Sequence, residues 1–219
     1  MLELFIECFP RLLAGLGLTL KLTFISLIFA TILGLICCLF RISRFKILQG
    51  IGSLYITLIR GTPMLVQAFF IYFGITQALD FRMGPETAAI ITLSLNAGAY
   101  LSETFRGGIQ AVDSGQMEAA RSLGLPYGVA MAKVILPQAI RIVIPSIINQ
   151  IIITLKDTSI LSAIGVRELT MNGKIIISTN FESFKIWSMV AVMYLVVVII
   201  LTKISEMIER RIAYGKGSS

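Results

Sequence analysis

The chain has 219 residues, 56% of them hydrophobic and only 14% charged, and a mean hydropathy of +0.88. Soluble domains carry about a quarter charged residues, so this composition excludes an ordinary water-soluble particle and leaves room for roughly five membrane spans of about 20 residues each. The formal charge of +7 reads as cationic loops kept in the cytoplasm rather than as a nucleic-acid footprint, and the absence of His excludes Ser-His-Asp and Cys-His pairs and His-containing metal sites.

The N-terminal MLELFIECFP has two acids and no basic region, so a cleaved signal peptide is not expected. Residues before Lys21 are apolar but broken by Pro10 and Arg11, which suggests an interfacial segment leading into the first span. That span, about 18–41, is uncharged from Leu22 to Phe40, and its adjacent Cys37 and Cys38 read as small hydrophobes. A second apolar stretch, about 50–79, is interrupted by Arg60-Gly61-Thr62-Pro63. Pro63 lacks a backbone donor and disfavours helix at Thr62, so a kink or break is expected there. The third span, about 86–106, carries Asn96, Tyr100 and Glu103 on one helical face.

Residues of about 107–134 cannot cross a bilayer; within them a short helix is expected over Gln116–Leu123, stopped by Gly124 and Pro126. Ile142–Leu155 is uncharged but makes a helix of only about 21 Å, short of a hydrocarbon core of about 30 Å. It runs into Lys156-Asp157-Thr158-Ser159, and a fourth span is placed at about 138–160. Residues 167–183 are mixed and polar, and the last span, about 184–204, begins beside Trp187. With five crossings and the N-terminus outside, Arg41, Arg44, Lys46, Arg106, Arg121, Lys133, Lys203, Arg210, Arg211 and Lys216 fall in the cytoplasm. Arg11, Arg82, Arg167, Lys174 and Lys185 fall outside, with Lys21, Arg60, Arg141 and Lys156 near or within membrane depth and uncounted, so the bias favours an outer N-terminus and a cytoplasmic C-terminus. The fold expected is a single all-α integral membrane domain over residues 1–219, with about five transmembrane helices and a cytoplasmic helix between the third and fourth.

Ionisable residues at membrane depth cost about 2.5–3.5 kcal/mol each on insertion scales and are functional candidates. They are Arg60, Glu103, Lys156 and Asp157. Asn96, Tyr100 and Glu103 would line a wet cavity or, alternatively, hydrogen-bond between helices. Lys156-Asp157-Thr158 at a break between short apolar runs is similar to the discontinuous helices of transporters, or else forms a salt bridge between spans. No residue set suits a catalytic or metal-ligating role.

The loop from Glu118 to Pro137, EAARSLGLPYGVAMAKVILP, resembles the EAA loop of ABC importer permeases, with Val134 standing where Ile is usual. RGTPMLVQAFFIYFG (Arg60 to Gly74), LSLNAGAYLSETFRGGIQ (Leu93 to Gln110), LKDTSILSAIGVREL (Leu155 to Leu169) and TLKL (Thr19 to Leu22) resemble the polar amino-acid branch of those permeases, the histidine/glutamine/arginine type. The resemblance implies a type I importer permease in the bacterial cytoplasmic membrane, paired as a homo- or heterodimer. Two ATPase subunits would bind its cytoplasmic face and a solute-binding protein would deliver the amino acid outside. It assigns Glu118, Ala119, Ala120 and Gly124 to a coupling helix seated on the ATPase. The chain has no G-x-x-x-x-G-K-[ST] phosphate cradle; it is not expected to be an enzyme or to bind a cofactor, and ATP and Mg belong to the partner ATPase. For the zwitterionic substrate, Glu103 or Asp157 would meet an ammonium or guanidinium, and Lys156, Arg60 or a helix N-terminus the carboxylate. A cavity carboxylate leans the expectation toward arginine, lysine or histidine. The alternative is a membrane scaffold whose charges only lock spans together; a membrane enzyme using Glu103 and Asp157 as acid and base lacks a nucleophile.

Overall fold

The structure, a computed structural model, describes the backbone of residues 2–214 and the side chains of residues 6–210; Lys216 and the Arg211 side chain lie outside these. Among the described residues there are helices and no strand. Three helices are long and apolar enough to cross a membrane, or four if one sharply bent pair counts as a span.

Helix α1 runs unbroken over Leu2–Ile42 with Pro10 inside it. The expected lead-in is thus one continuous helix with the first span. Pro10 costs one helical bond, but Cys8 and Leu12 beside it are buried with Leu169, Ile176, Ile186 and Val190, and that packing holds the segment helical. At 41 residues, α1 is about 60 Å long, roughly twice a hydrocarbon core.

Helix α2 (Lys46–Arg60) and helix α3 (Met64–Ala78) meet at 103°. The break falls at the Gly61-Thr62-Pro63 joint, where Pro63 has no N–H to offer the preceding turn. The exposed end of α2 is closed locally: Gly61 N donates to Thr57 O at 2.9 Å and Thr62 Oγ1 to Leu58 O at 2.8 Å. A π-helical turn over Phe70–Ile75 lies within α3.

Helix α4 (Pro85–Gln110) is the centre of the fold, packed along α1 and against α2, α3 and the later helical segment Leu136–Asp157. Its buried face is built from small residues, among them Ala88, Ala89, Ala97, Gly98 and Ala99. A Cβ on Gly98 would stand 3.2 Å from Leu33 Cβ and 3.3 Å from Ala30 O, and one on Gly34 would stand 3.1 Å from Gly98 O. Backbones approach this closely only where side chains are absent, the usual device where lipid supplies no hydrophobic drive between helices. Tyr55 Oη, donating to Leu95 O at 2.7 Å, ties α2 to the same helix.

Helix α5 (Ser114–Ser122) starts two residues earlier than expected because Asp113 caps it, accepting from Gly115 N at 2.7 Å. Gly124 closes it with φ +83, a left-handed conformation glycine adopts freely. Helix α6 then runs from Tyr127 to Ile164. The short run Ile142–Leu155 is therefore the middle of a long helix, not a short one. Pro137 is accommodated because it follows a π turn over Met131–Ile135 and sits in the first turn of the regular segment Leu136–Asp157. The anticipated break at Lys156–Ser159 is a tightening: the chain passes into a 3₁₀ turn over Thr158–Ile164 without leaving the helix.

The polar stretch after it contains a further helix, α7 (Leu169–Asn180), capped by Glu168. Helix α8 (Ser183–Tyr214) ends the described chain.

Candidate functional site

A cavity of about 390 Å³ opens where the α2–α3 break faces α4 and the end of α6; it is lined by Thr62, Pro63, Met64, Asn96, Tyr100, Gln150, Ile153, Asp157 and Ile160. Every wall comes from an irregularity or a central helix. The first turn of α3, begun by Met64 after Pro63, faces it, and helix starts leave backbone N–H groups without intrahelical partners. Asn96 and Tyr100 are one turn apart on α4, and Gln150, Ile153 and Asp157 lie along one face of α6 just before it tightens. A larger cavity of about 610 Å³ lies between α1 and α8, but apart from Lys185 and Ser188 its walls are apolar side chains. Lys185 already pairs with Glu182 at 2.7 Å. A polar solute would find its partners in the smaller cavity.

The seven residues singled out for the solute do not all meet there. Asn96, Tyr100 and Asp157 line the cavity. Arg60 reaches it only through Tyr100: its guanidinium carbon stands 5.1 Å from the Tyr100 ring centroid, a cation–π contact. Lys156 turns outward and is exposed. Thr158 is fully buried behind the wall, its Oγ1 donating to Leu155 O at 2.7 Å.

Glu103 shares a helical face with Asn96 and Tyr100 but lies outside the cavity lining. Its carboxylate takes Arg106 Nη2 at 2.6 Å and Arg106 Nε at 3.2 Å, with Arg41 Nη2 at 3.7 Å. Two turns of helix separate it from Asn96, enough to carry it from the cavity to the Arg-rich end of α1.

Two cavity-side residues escaped the sequence reading. Gln67 is buried behind Asn96, bridging to it at 3.4 Å, and Gln150 is buried in the α6 wall with its Nε2 3.3 Å from Thr154 Oγ1. The signal was present in both cases, amides inside an apolar run: Gln67 alone in MLVQAFF and the pair Asn149-Gln150 in IINQIII. Charge drew attention to their neighbours instead.

At the other functional feature, α5 presents Glu118 and Ala119 to solvent while Ala120 is buried against the body of the fold. Gly124 N donates to Arg121 O at 3.0 Å and Leu125 N to Ala120 O at 3.2 Å, which fixes the turn out of the helix. Leu123 and Tyr127 are 83% and 59% exposed on this surface, an apolar offering unusual for a loop facing water.

Residues 13–214 match the family described as binding-protein-dependent transport system inner membrane component. The chain belongs to this family. It is 37% identical over 203 residues to the arginine transport system permease protein ArtQ of Bacillus subtilis, covering 93% of each chain. It is 40% identical over 203 residues to the glutamine transport system permease protein GlnP of Escherichia coli, covering 92% of this chain and 93% of that one. Its fold superposes with a TM-score of 0.91 on a chain from the crystal structure of an amino acid ABC transporter with histidines, at 39% identity over 94% of this chain and 96% of the other. The MetNI methionine ABC transporter in an inward-facing conformation, at 18% identity and a TM-score of 0.74, shares the fold. The permease is thus the membrane-embedded subunit of an ABC transporter, and ATP hydrolysis takes place in partner subunits.

Proposed function

We propose that this permease carries a polar amino acid, with a preference for a basic one, through the cavity between the α2–α3 break, α4 and α6. The observation that carries the reading is Asp157: a half-buried carboxylate on the wall of a 390 Å³ cavity, with no ion pair among the described residues. Cavities of about 300–1,000 Å³ suit small ligands, and an unpaired carboxylate facing one attracts an ammonium or guanidinium. Asn96, Tyr100 and Gln150 supply neutral polar contacts, and the start of α3 offers N–H groups and a positive dipole end to a carboxylate. Relatives named for arginine and for glutamine resemble the chain about equally, so the lean to a basic substrate rests on Asp157. Thr158 and Arg60 support the wall from behind and beside it, and Lys156 is available on the outer surface.

In the same reading, α4 supplies the fifth span. At 26 residues it is about 39 Å long, and its polar small residues are sheltered by the other helices. The N-terminus faces outside and the C-terminus the cytoplasm of a bacterium, as the basic residues favour. Glu118, Ala119, Ala120 and Gly124 couple the permease to two ATPase subunits that hold ATP and Mg²⁺, with Leu123 and Tyr127 giving the apolar contact. A second permease, identical or related, completes the pathway, and a solute-binding protein delivers the substrate.

Reconstitution of the permease with its ATPase and binding protein in proteoliposomes tests this. ATP-dependent uptake of labelled arginine, lysine or histidine in preference to glutamine is expected; ATP-driven uptake of none of the twenty amino acids would overturn the substrate class.

A further inference from the structure

Gln67 touches both the helix break and the cavity wall, and its donors are fully committed. Its Nε2 lies 2.7 Å from Ile59 O, 3.1 Å from Thr62 O and 2.9 Å from Thr62 Oγ1. All three act as acceptors. Two are carbonyls, and the Thr62 hydroxyl has already directed its proton to Leu58 O at 2.8 Å. The two ends of an amide are told apart by their hydrogen-bond network, and here an oxygen in the Nε2 position would face two carbonyl oxygens. Gln67 Oε1 is therefore the atom turned to Asn96, 3.4 Å from Asn96 Nδ2.

The constraint passes on. Asn96 must offer its NH₂ group to Gln67, which leaves Oδ1 as its free acceptor. Among the described residues that oxygen has no hydrogen-bond partner, and Asn96 forms part of the cavity lining. Released from Gln67, the Asn96 amide could turn over and offer donors where the cavity now offers an oxygen.

We propose that Gln67 is a positioning residue for the substrate site, holding the Asn96 amide so that Asn96 Oδ1 accepts an N–H from the substrate ammonium or guanidinium. The inference rests on the amino-acid reading of the cavity. It explains why a buried amide belongs at the helix break: the same side chain that satisfies the carbonyls freed by Pro63 sets the polarity of the opposite wall. With Asp157, oxygens from both α4 and α6 then face the cavity, a surface that selects donors.

A double-mutant cycle separates this role from a merely structural one. The permease–ATPase complex is purified in lipid nanodiscs, the twenty L-amino acids are titrated by calorimetry, and the tightest serves as the probe. Asn96→Ala is expected to weaken it, and Gln67→Met to weaken it by about tenfold, as for one lost buried hydrogen bond. Combined with Asn96→Ala, Gln67→Met should cost no further affinity, within about twofold. An equal fold-loss in both backgrounds would overturn the proposal and leave Gln67 as a brace for the break. Full affinity in Asn96→Ala would instead show that the cavity reading itself has failed. Gln67→Glu, which keeps an oxygen toward Asn96 Nδ2 but loses the donors to Ile59 and Thr62, should melt earlier yet bind within about threefold of wild type. A loss matching that of Gln67→Met counts against the proposal, and Gln67→Glu decides it alone if Gln67→Met does not fold.

Discussion

Replacing Asp157 by Asn removes the charge from the cavity wall while keeping its volume and one oxygen. Among the described residues Asp157 has no cationic partner within ion-pair distance, so the substitution strands no opposite charge inside the protein and its effect falls on the solute. Two unit charges about 4 Å apart interact by about 4 kcal/mol at an effective dielectric near 20. Desolvation of the half-buried carboxylate and of the ligand offsets part of this, and hydrogen bonds to charged groups retain about 1.5–3 kcal/mol net. Asp157→Asn should therefore raise the dissociation constant of a basic amino acid by about 10- to 150-fold. Titration of arginine and glutamine into the permease–ATPase complex in nanodiscs measures it. A much larger loss for arginine than for glutamine would place the carboxylate at the substrate side chain, and equal losses would place it at the α-ammonium. A change of less than about twofold for every amino acid would refute the reasoning, since a lone carboxylate beside a bound cation cannot be so silent.

Glu103→Gln should leave amino-acid affinity unchanged but lower the melting temperature by about 3–6 °C, because Glu103 pairs with Arg106 at 2.6 Å and Arg41 at 3.7 Å; thermal unfolding and titration on the same sample check both halves. Glu118→Lys, on the exposed face of α5, should abolish ATP-dependent uptake in proteoliposomes while substrate binding to the permease persists. Glu168 lies between the last two candidate spans, and burial pushes its carboxyl above the ordinary value of 4.5 despite hydrogen bonds from Thr170 N, Met171 N and Tyr194 Oη that work the other way. The native state then holds the proton more tightly than the unfolded chain, so stability should fall as pH rises from about 4.5 through the native pKa, and Glu168→Gln should flatten that slope in melting curves taken across pH.

The sequence made legible those features that local chemistry dictates. Pro63 lacks a donor and disfavours helix at Thr62, and the bend of 103° is there; Gly124 ends α5 where the chain turns with φ +83. What local chemistry does not dictate was misplaced. Pro10 and Pro137 carry the same penalty as Pro63 yet sit inside helices, the first rescued by burial of Cys8 and Leu12 and the second by an adjoining π turn. Periodicity placed Glu103 on the face of Asn96, which is correct, but a helical face is a stripe as long as its helix. Residues on one stripe can serve different ends of the molecule, and the Arg41 and Arg106 partners of Glu103 depend on how α1 crosses α4, which no single-helix pattern contains.

The same distinction explains why the amides were missed. A charge inside an apolar run announces a cost that must be met; an amide costs less and is easily read as filler. Yet at this helix break it is the amide that can do both things the site needs. A carboxylate at position 67 could not donate to Ile59 O and Thr62 O, and an ammonium could not accept from Asn96 Nδ2, while Gln67 does both. In the proposed reading, the charge at Asp157 would attract a cation to the cavity. The neutral pair Gln67 and Asn96 would set which atoms meet the solute, so selectivity in this permease is expected to follow the orientation of amides as much as the count of charges.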